Sequence, residues 1–197
     1  MNYVLHNDPP NFSYEKIKYH QNILLNGYYQ SEKYFKEHRQ QIIELYECPS
    51  GLESVIEGRF KSLLGRNDTC SVHVRRGDYI KYKDYHNNLS TEYYENCFYE
   101  KKGSHLVFFS DDIEWCKETF KNKEATFVDT ESDIVEFYLM SRMKDNIISN
   151  SSFSWWAAWM NLNEDKHVIA PKKWFGPKNT HFLTEDIIPK TWELIDA

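Results

Sequence analysis

From Thr69 onward, short apolar runs alternate with stretches of helical length, and this alternation constrains the fold more than any other feature. Residues 70–74, 105–109, 126–129, 146–149 and 167–170 look like strands. Between them, 91–101, 113–120, 133–143 and 153–161 are helical in length and period. Such alternation argues for an α/β fold, a parallel sheet with crossover helices. Ligands of these sheets sit beyond the carboxyl ends of the strands, so the residues just after each strand are the ones to inspect. Upstream, residues 1–26 are polar and aromatic with a Pro9–Pro10 break, and read as irregular chain. Residues 31–46 read as a helix, with Ser31 as N-cap and Tyr34, Phe35, His38, Ile42 and Leu45 at helical spacing. A second helix is expected over 52–64, broken by Gly65.

The first strand is followed by Arg75-Arg76-Gly77-Asp78-Tyr79. Guanidinium groups match phosphate oxygens as bidentate forks and stay charged at any working pH. Gly77 lets the backbone approach a ligand closely, and Asp78 could hold one arginine in place. Taken alone, the string is equally a surface Arg–Asp pair of little energetic weight. The second strand ends at Ser110-Asp111-Asp112, where Ser110 or Asp111 would cap the next helix. The remaining acid either braces the arginines or meets the ligand. The fourth ends at Ser149-Asn150-Ser151-Ser152, small polar residues at a helix start. There backbone N–H groups, hydroxyls and the helix dipole favour an anion, although ordinary capping would need only one of them. Trp155, Trp156 and Trp159 recur at helical spacing and read as core. Two strand ends with phosphate-binding chemistry and a third with acids suit a diphosphate with hydroxyl-rich attachments, a sugar nucleotide. Neither G-x-G-x-x-G nor G-x-x-x-x-G-K-[ST] occurs, which removes hydride transfer and most ATP hydrolysis from contention.

The formal net charge of -6 argues against a nucleic-acid partner, so any phosphate must be met by a local cluster of positive groups. Cys48, Cys70, Cys97 and Cys116 form no C-x-x-C pair, and no His/Cys ligand set surrounds them; reduced thiols are expected and a metal site is not. The start of the chain has no signal-peptide pattern, and no apolar run reaches the ~20 residues of a membrane span. A cytoplasmic location is expected, and the sequon-like triplets at Asn67, Asn88 and Asn150 then carry no meaning.

The string His73–Tyr79 (HVRRGDY), Ser110-Asp111-Asp112 and the run NSSFSWW from Asn150 resemble glycosyltransferase family 11, the α-1,2-fucosyltransferases that act on galactosides. The stretch NGYYQSEKYF from Asn26 resembles the family segment before its middle helices, so the likeness covers nearly the whole chain from about Asn26. It implies a Rossmann-like sheet, the C-terminal donor-binding half of a GT-B-like enzyme. It also implies inverting, metal-independent transfer of L-fucose from GDP-β-L-fucose to the 2-hydroxyl of a terminal galactose. GDP-fucose is then a co-substrate, no cofactor is expected, and the acceptor is a glycan such as a lipopolysaccharide or oligosaccharide. Peripheral association with a membrane is allowed. By the same resemblance Arg75 and Arg76 grip the diphosphate and Asp78 orients them. Asp111, Asp112 and Asp133 are candidates for donor or guanine contacts, and Asn150, Ser151 and Ser152 line the phosphate end. His73 belongs to the donor strand edge, where a structural role is the simpler one.

The family's chains open with a strand and a GGLGNQ-like loop, which this sequence lacks. Residues 1–66 are therefore expected to be a remnant of the acceptor region with connecting helices, and 67–197 the GDP-fucose-binding domain. A chain that holds the nucleotide sugar without transferring it is the alternative, and strand-end chemistry alone would permit a different sugar nucleotide.

Overall fold

The computed structural model describes residues 3–9, 12–130 and 132–197; Pro10 of the expected break lies outside them. Six strands form one sheet in the order β5-β4-β3-β6-β7-β8: β3 (Thr69–Val74), β4 (His105–Ser110), β5 (Ala125–Phe127), β6 (Asp145–Ile147), β7 (Val168–Pro171) and β8 (Glu193–Ile195). Every neighbouring pair is parallel. From β3 the chain builds outward through β4 and β5, then returns to place β6, β7 and β8 on the other side. The carboxyl ends of β3 and β6 therefore flank the point where strand order reverses, the site at which open α/β sheets bind ligands.

The side-chain alternation of β4 shows why both faces must be covered. Leu106 and Phe108 enter one apolar cluster with Tyr93, Tyr94 and Phe98 of α4 (Thr91–Glu100) and Cys116 of α5 (Ile113–Thr119). Val107 and Phe109 enter another, with Ile56 and Leu63 of α2 (Ser50–Leu64) and Leu139 of α6 (Asp133–Met140). A strand buried on both faces reads as a continuous apolar run, as LVFF over Leu106–Phe109 does. Beside the second layer, Trp155 and Trp159 of α7 (Ser152–Met160) pack with Ile148, Trp174 and Trp192.

β3 is mixed. Cys70, Val72 and Val74 face the first cluster, whereas Ser71 and His73 point to the opposite face. There the buried polar groups pair. Asn146 Nδ2 donates to Ser71 Oγ (2.7 Å) and to Met140 O (2.9 Å), and Asn161 Nδ2 donates to Asn146 Oδ1 (2.8 Å). His73 Nδ1 lies 2.8 Å from Ser149 Oγ. From α4, Tyr93 donates to Ile148 O (2.8 Å) and Tyr94 to His73 O (3.3 Å), so two buried phenols fix the carboxyl ends of the two central strands.

Three sequence expectations are corrected. Residues 4–7 and 23–26 are not irregular: β1 (Val4–Asn7) and β2 (Ile23–Asn26) form a separate two-stranded parallel sheet. Nothing local marks a parallel pair of four-residue strands joined by a long connection. The helix expected over 31–46 is two 3₁₀ turns, Glu32–Tyr34 and Lys36–His38, followed by α1 (Arg39–Leu45). Ser31 does cap, accepting from Lys33 N, but Phe35 leaves helical geometry (φ -143°, ψ -4°). Its ring is stacked on Trp156 at 5.0 Å and meets Trp159 edge-on at 5.2 Å, and this packing overrides the local helical pattern. The helix expected over 133–143 ends at Met140. Three elements had no expectation: the three-residue β8, the 3₁₀ turn Pro177–Asn179, and α3 (Gly77–Lys81), which begins inside the arginine motif. No helix among the described residues is long and apolar enough to cross a membrane.

Candidate functional site

Arg75 and Arg76 leave β3 at its carboxyl end and stand opposite the acids that leave β4, because β3 and β4 pair in register with Val74 beside Ser110. The two arginines are held differently. Arg75 Nη2 donates to Asp78 Oδ1 (2.7 Å), and its Nη1 is 3.2 Å from Asp111 Oδ2. Arg76 gives only Nε to a carboxylate, Asp112 Oδ2 at 3.1 Å, while its guanidinium lies 3.8 Å from the centroid of the Trp115 ring. The terminal nitrogens of Arg76 make no hydrogen bond among the described residues. The Nε anchor and the aromatic plate orient a fork whose outer N–H groups remain unspent.

The acids are braces. Asp111 Oδ1 accepts the Arg76 backbone N–H (2.9 Å). The N-cap of α5 is Asp112, not Ser110 or Asp111: its carboxylate accepts Trp115 N–H (3.3 Å), and Ser110 Oγ accepts the Asp112 N–H (2.9 Å). One residue thus caps α5 through one oxygen and holds Arg76 through the other, and Trp115 is set under the guanidinium by the same cap. With Asp78, three carboxylates face two guanidiniums. The local formal charge is therefore not positive, and any anion held here would depend on directed N–H donors.

Gly77 makes this packing feasible, in a way the motif alone did not reveal. A Cβ there would lie 2.4 Å from Asp111 Oδ2. The close approach that glycine permits is by the carboxylate of Asp111. Gly77→Ala should displace that carboxylate from Arg76 N–H and Arg75, at a cost of about 1 kcal/mol in thermal or denaturant unfolding.

The β6 end contributes Asn150, Ser151 and Ser152. Ser151 caps α7, accepting Phe153 N–H (3.3 Å), and Ser152 is exposed as its first residue. The Asn150 amide is buried; Nδ2 donates to Trp174 O (2.7 Å) and Asn87 O (3.0 Å), and Oδ1 has no partner. Tyr79, in the motif but not singled out from sequence, joins the two strand ends. Its hydroxyl donates to Asn150 O (3.1 Å), Arg75 lies 5.5 Å over its ring, and His86 stacks on it at 4.1 Å. The structure therefore brings together Arg75, Arg76, Asp78, Asp111 and Asp112, and ties them through Tyr79 to Asn150 and the start of α7. Asp133 is not brought in: it is the exposed first residue of α6 and pairs with none of these groups. His73 is buried behind the arginines; burial, reinforced by Arg75, lowers its pKa to about 3, so it stays neutral at working pH.

The thiols are free. Burial pushes Cys97 up to about 12 and Cys116 up to about 11, and raises Cys70 as well, so none of the three is a thiolate at neutral pH. Among the described residues, no group of three or more His, Cys, Asp and Glu side chains is arranged to hold a metal ion.

The sequence model of the family described as "Glycosyl transferase family 11" matches residues 3–196. The chain belongs to this family. Among curated relatives, it is 34% identical to the O-antigen biosynthesis glycosyltransferase WbnK of Escherichia coli, over 87% of this chain and 61% of that protein. It is 33% identical to the alpha-1,2-colitosyltransferase of Escherichia coli, over 86% of this chain and 61% of that protein. It is 28% identical to the putative galactoside 2-alpha-L-fucosyltransferase svh-11 of Caenorhabditis elegans, over 95% and 56% respectively. The chain thus spans about three fifths of the length of the curated relatives it matches. Among solved structures, the β-Kdo 2,7-transferase KpsC of Thermosulfurimonas dismutans aligns with a TM-score of 0.42 at 12% identity, over 80% of this chain and 51% of that one, a likeness too slight to argue from.

Proposed function

We propose that the six-stranded unit is the nucleotide-sugar half of a glycosyltransferase that moves L-fucose from GDP-fucose to the 2-hydroxyl of a galactose-terminated glycan. The observation that carries this reading is the Arg76 fork, anchored at Nε, plated on Trp115 and unspent at its tips, at the reversal point of a parallel sheet. In the transfer, the bond from the fucose anomeric carbon to the diphosphate breaks and one to the acceptor oxygen forms, with loss of the hydroxyl proton. Charge develops on the departing GDP. The Arg76 fork, with Arg75 beside it and the N–H groups at the start of α7, would stabilise that charge without a metal ion. Asp78, Asp111 and Asp112 act as positioning residues. The family membership supports a fucosyl- or colitosyl-type donor, and the worm relative's name supports the 2-hydroxyl of a galactoside as acceptor. A colitose donor is the second reading, favoured by the 33% relative of that name.

Calorimetric titration with GDP, GDP-fucose and UDP-galactose tests the donor assignment. Binding of the two guanosine ligands and not of UDP-galactose is expected. Failure of GDP to bind would remove the phosphate reading. Displacement of GDP-fucose by GDP-colitose at lower concentration would favour the second.

A further inference from the structure

A cavity of about 240 Å³ opens between the turn at Tyr28–Ser31 and the first turn of α7. It lies between the tryptophan core and the start of α7 and is filled by neither. It is smaller than the about 300–1,000 Å³ of pockets for drug-sized ligands, a size suited to one ring. Phe35, Trp155, Trp156 and Trp174 give it aromatic walls, and Ser152 sets it against the α7 N-terminus that belongs to the arginine site.

Some of its polar groups are spent and others are not. Trp155 and Trp159 satisfy their indole N–H groups on Ile187 O (2.8 Å) and Glu32 Oε2 (3.2 Å). The half-buried Trp156 indole N–H, the Gln30 amide and the Ser152 hydroxyl make no hydrogen bonds among the described residues. The rim is rigidly built. Asp8 Oδ2 accepts the N–H groups of Tyr28 and Tyr29, both at 2.9 Å, with Gly27 at φ +146° beneath them. Tyr29 sits at φ 48°, an outlier for a bulky residue, and its hydroxyl donates to His6 O (2.6 Å). Strain of this kind persists where surroundings over-determine it, and it clusters at ligand sites. The result is a Tyr28 ring 80% exposed on a locked turn beside an aromatic cavity.

We propose that this cavity is a pyranose subsite: a sugar ring lays its C–H face on the aromatic walls while its hydroxyls meet Gln30, Ser152 and the Trp156 N–H. The assignment to a substrate sugar rests on the glycosyltransferase reading. The ring could come from donor or acceptor, and the two sources separate by experiment.

Saturation-transfer NMR of the full chain with methyl α-L-fucoside and with methyl β-D-galactoside tests this, alongside GDP titration of the same samples. The expected result is saturation of ring C–H protons in one glycoside, weakened about fivefold or more in Tyr28→Ala and Trp156→Ala, with GDP binding unchanged. A stronger fucoside signal assigns the cavity to the donor ring, and a stronger galactoside signal to the acceptor. No saturation of either glycoside overturns the subsite, as does a signal that both variants leave intact. GDP binding fails or succeeds separately and reports on the phosphate reading alone. Because Tyr28 is largely exposed, its variant keeps the test valid if Trp156→Ala does not fold.

Discussion

Arg76→Ala should weaken GDP binding by about 10- to 150-fold, corresponding to loss of a charge-assisted contact of about 1.5–3 kcal/mol. The reason lies in how the guanidinium is spent. Asp112 takes Nε, Trp115 supports one face, and the outer N–H groups have no other partner. Arg76→Lys should lose nearly as much, because an ammonium cannot be held at one nitrogen while presenting two others, and does not lie flat on an indole. Arg75 contrasts with it. Both its terminal nitrogens already face carboxylates, so Arg75→Lys can keep the ion pair with Asp78 and should retain most of the affinity. Arg75→Ala should lose affinity chiefly by leaving Asp78 and Asp111 uncompensated beside an incoming anion. Titration calorimetry on the variants, with unfolding curves to confirm the fold, measures the difference. GDP affinity within twofold of the parent in Arg76→Ala would remove this residue from the phosphate site.

The contrast between the two arginines was not legible in the sequence, although the pair itself was. Parallel topology follows from strand and helix lengths after Thr69, and it directs attention to strand ends. That sufficed to collect Arg75, Arg76, Asp78, Asp111 and Asp112 into one place. The sequence could not show register, and register sets which acid serves which arginine. Trp115 was invisible because it comes to lie beneath Arg76 only through the Asp112 cap of α5. Tyr79 was hidden in its own motif, since its role depends on a hydroxyl reaching the far strand end. Asp133 fell outside the cluster for the opposite reason. It follows the edge strand β5, two strands from the reversal point, and proximity in a motif list does not carry across a sheet. The segment before Thr69 was least legible. Its helix yields at Phe35 to contacts with tryptophans more than a hundred residues away, which no local period records.

His73 should make the protein acid-sensitive in a window where few other groups act. The imidazole is 5% exposed, is paired with Ser149, and has its pKa lowered from 6.5 to about 3, first by burial and then by Arg75. In the unfolded chain it takes up a proton as pH falls through 6.5, while in the native state it does not until about 3. The unfolded state thus binds more protons across that interval, so the contribution is complete above 6.5 and drains by about 1.4 kcal/mol for each unit of pH below it. Carboxylates held low by cationic partners, Glu53 by Arg142 and Asp186 by Lys33, act only within and below the ordinary carboxylate range. Half-buried Glu136, held above its usual value by desolvation, works in the opposite direction. The measurement is therefore a difference: urea unfolding of the parent and of His73→Asn at intervals from pH 7 to pH 5. The asparagine variant costs packing at every pH, but should flatten the slope by up to about 1.4 kcal/mol per unit. Equal slopes would mean that the imidazole charges in place. Because His73 buttresses the strand that carries Arg75 and Arg76, donor binding should fail in acid through loss of the folded state.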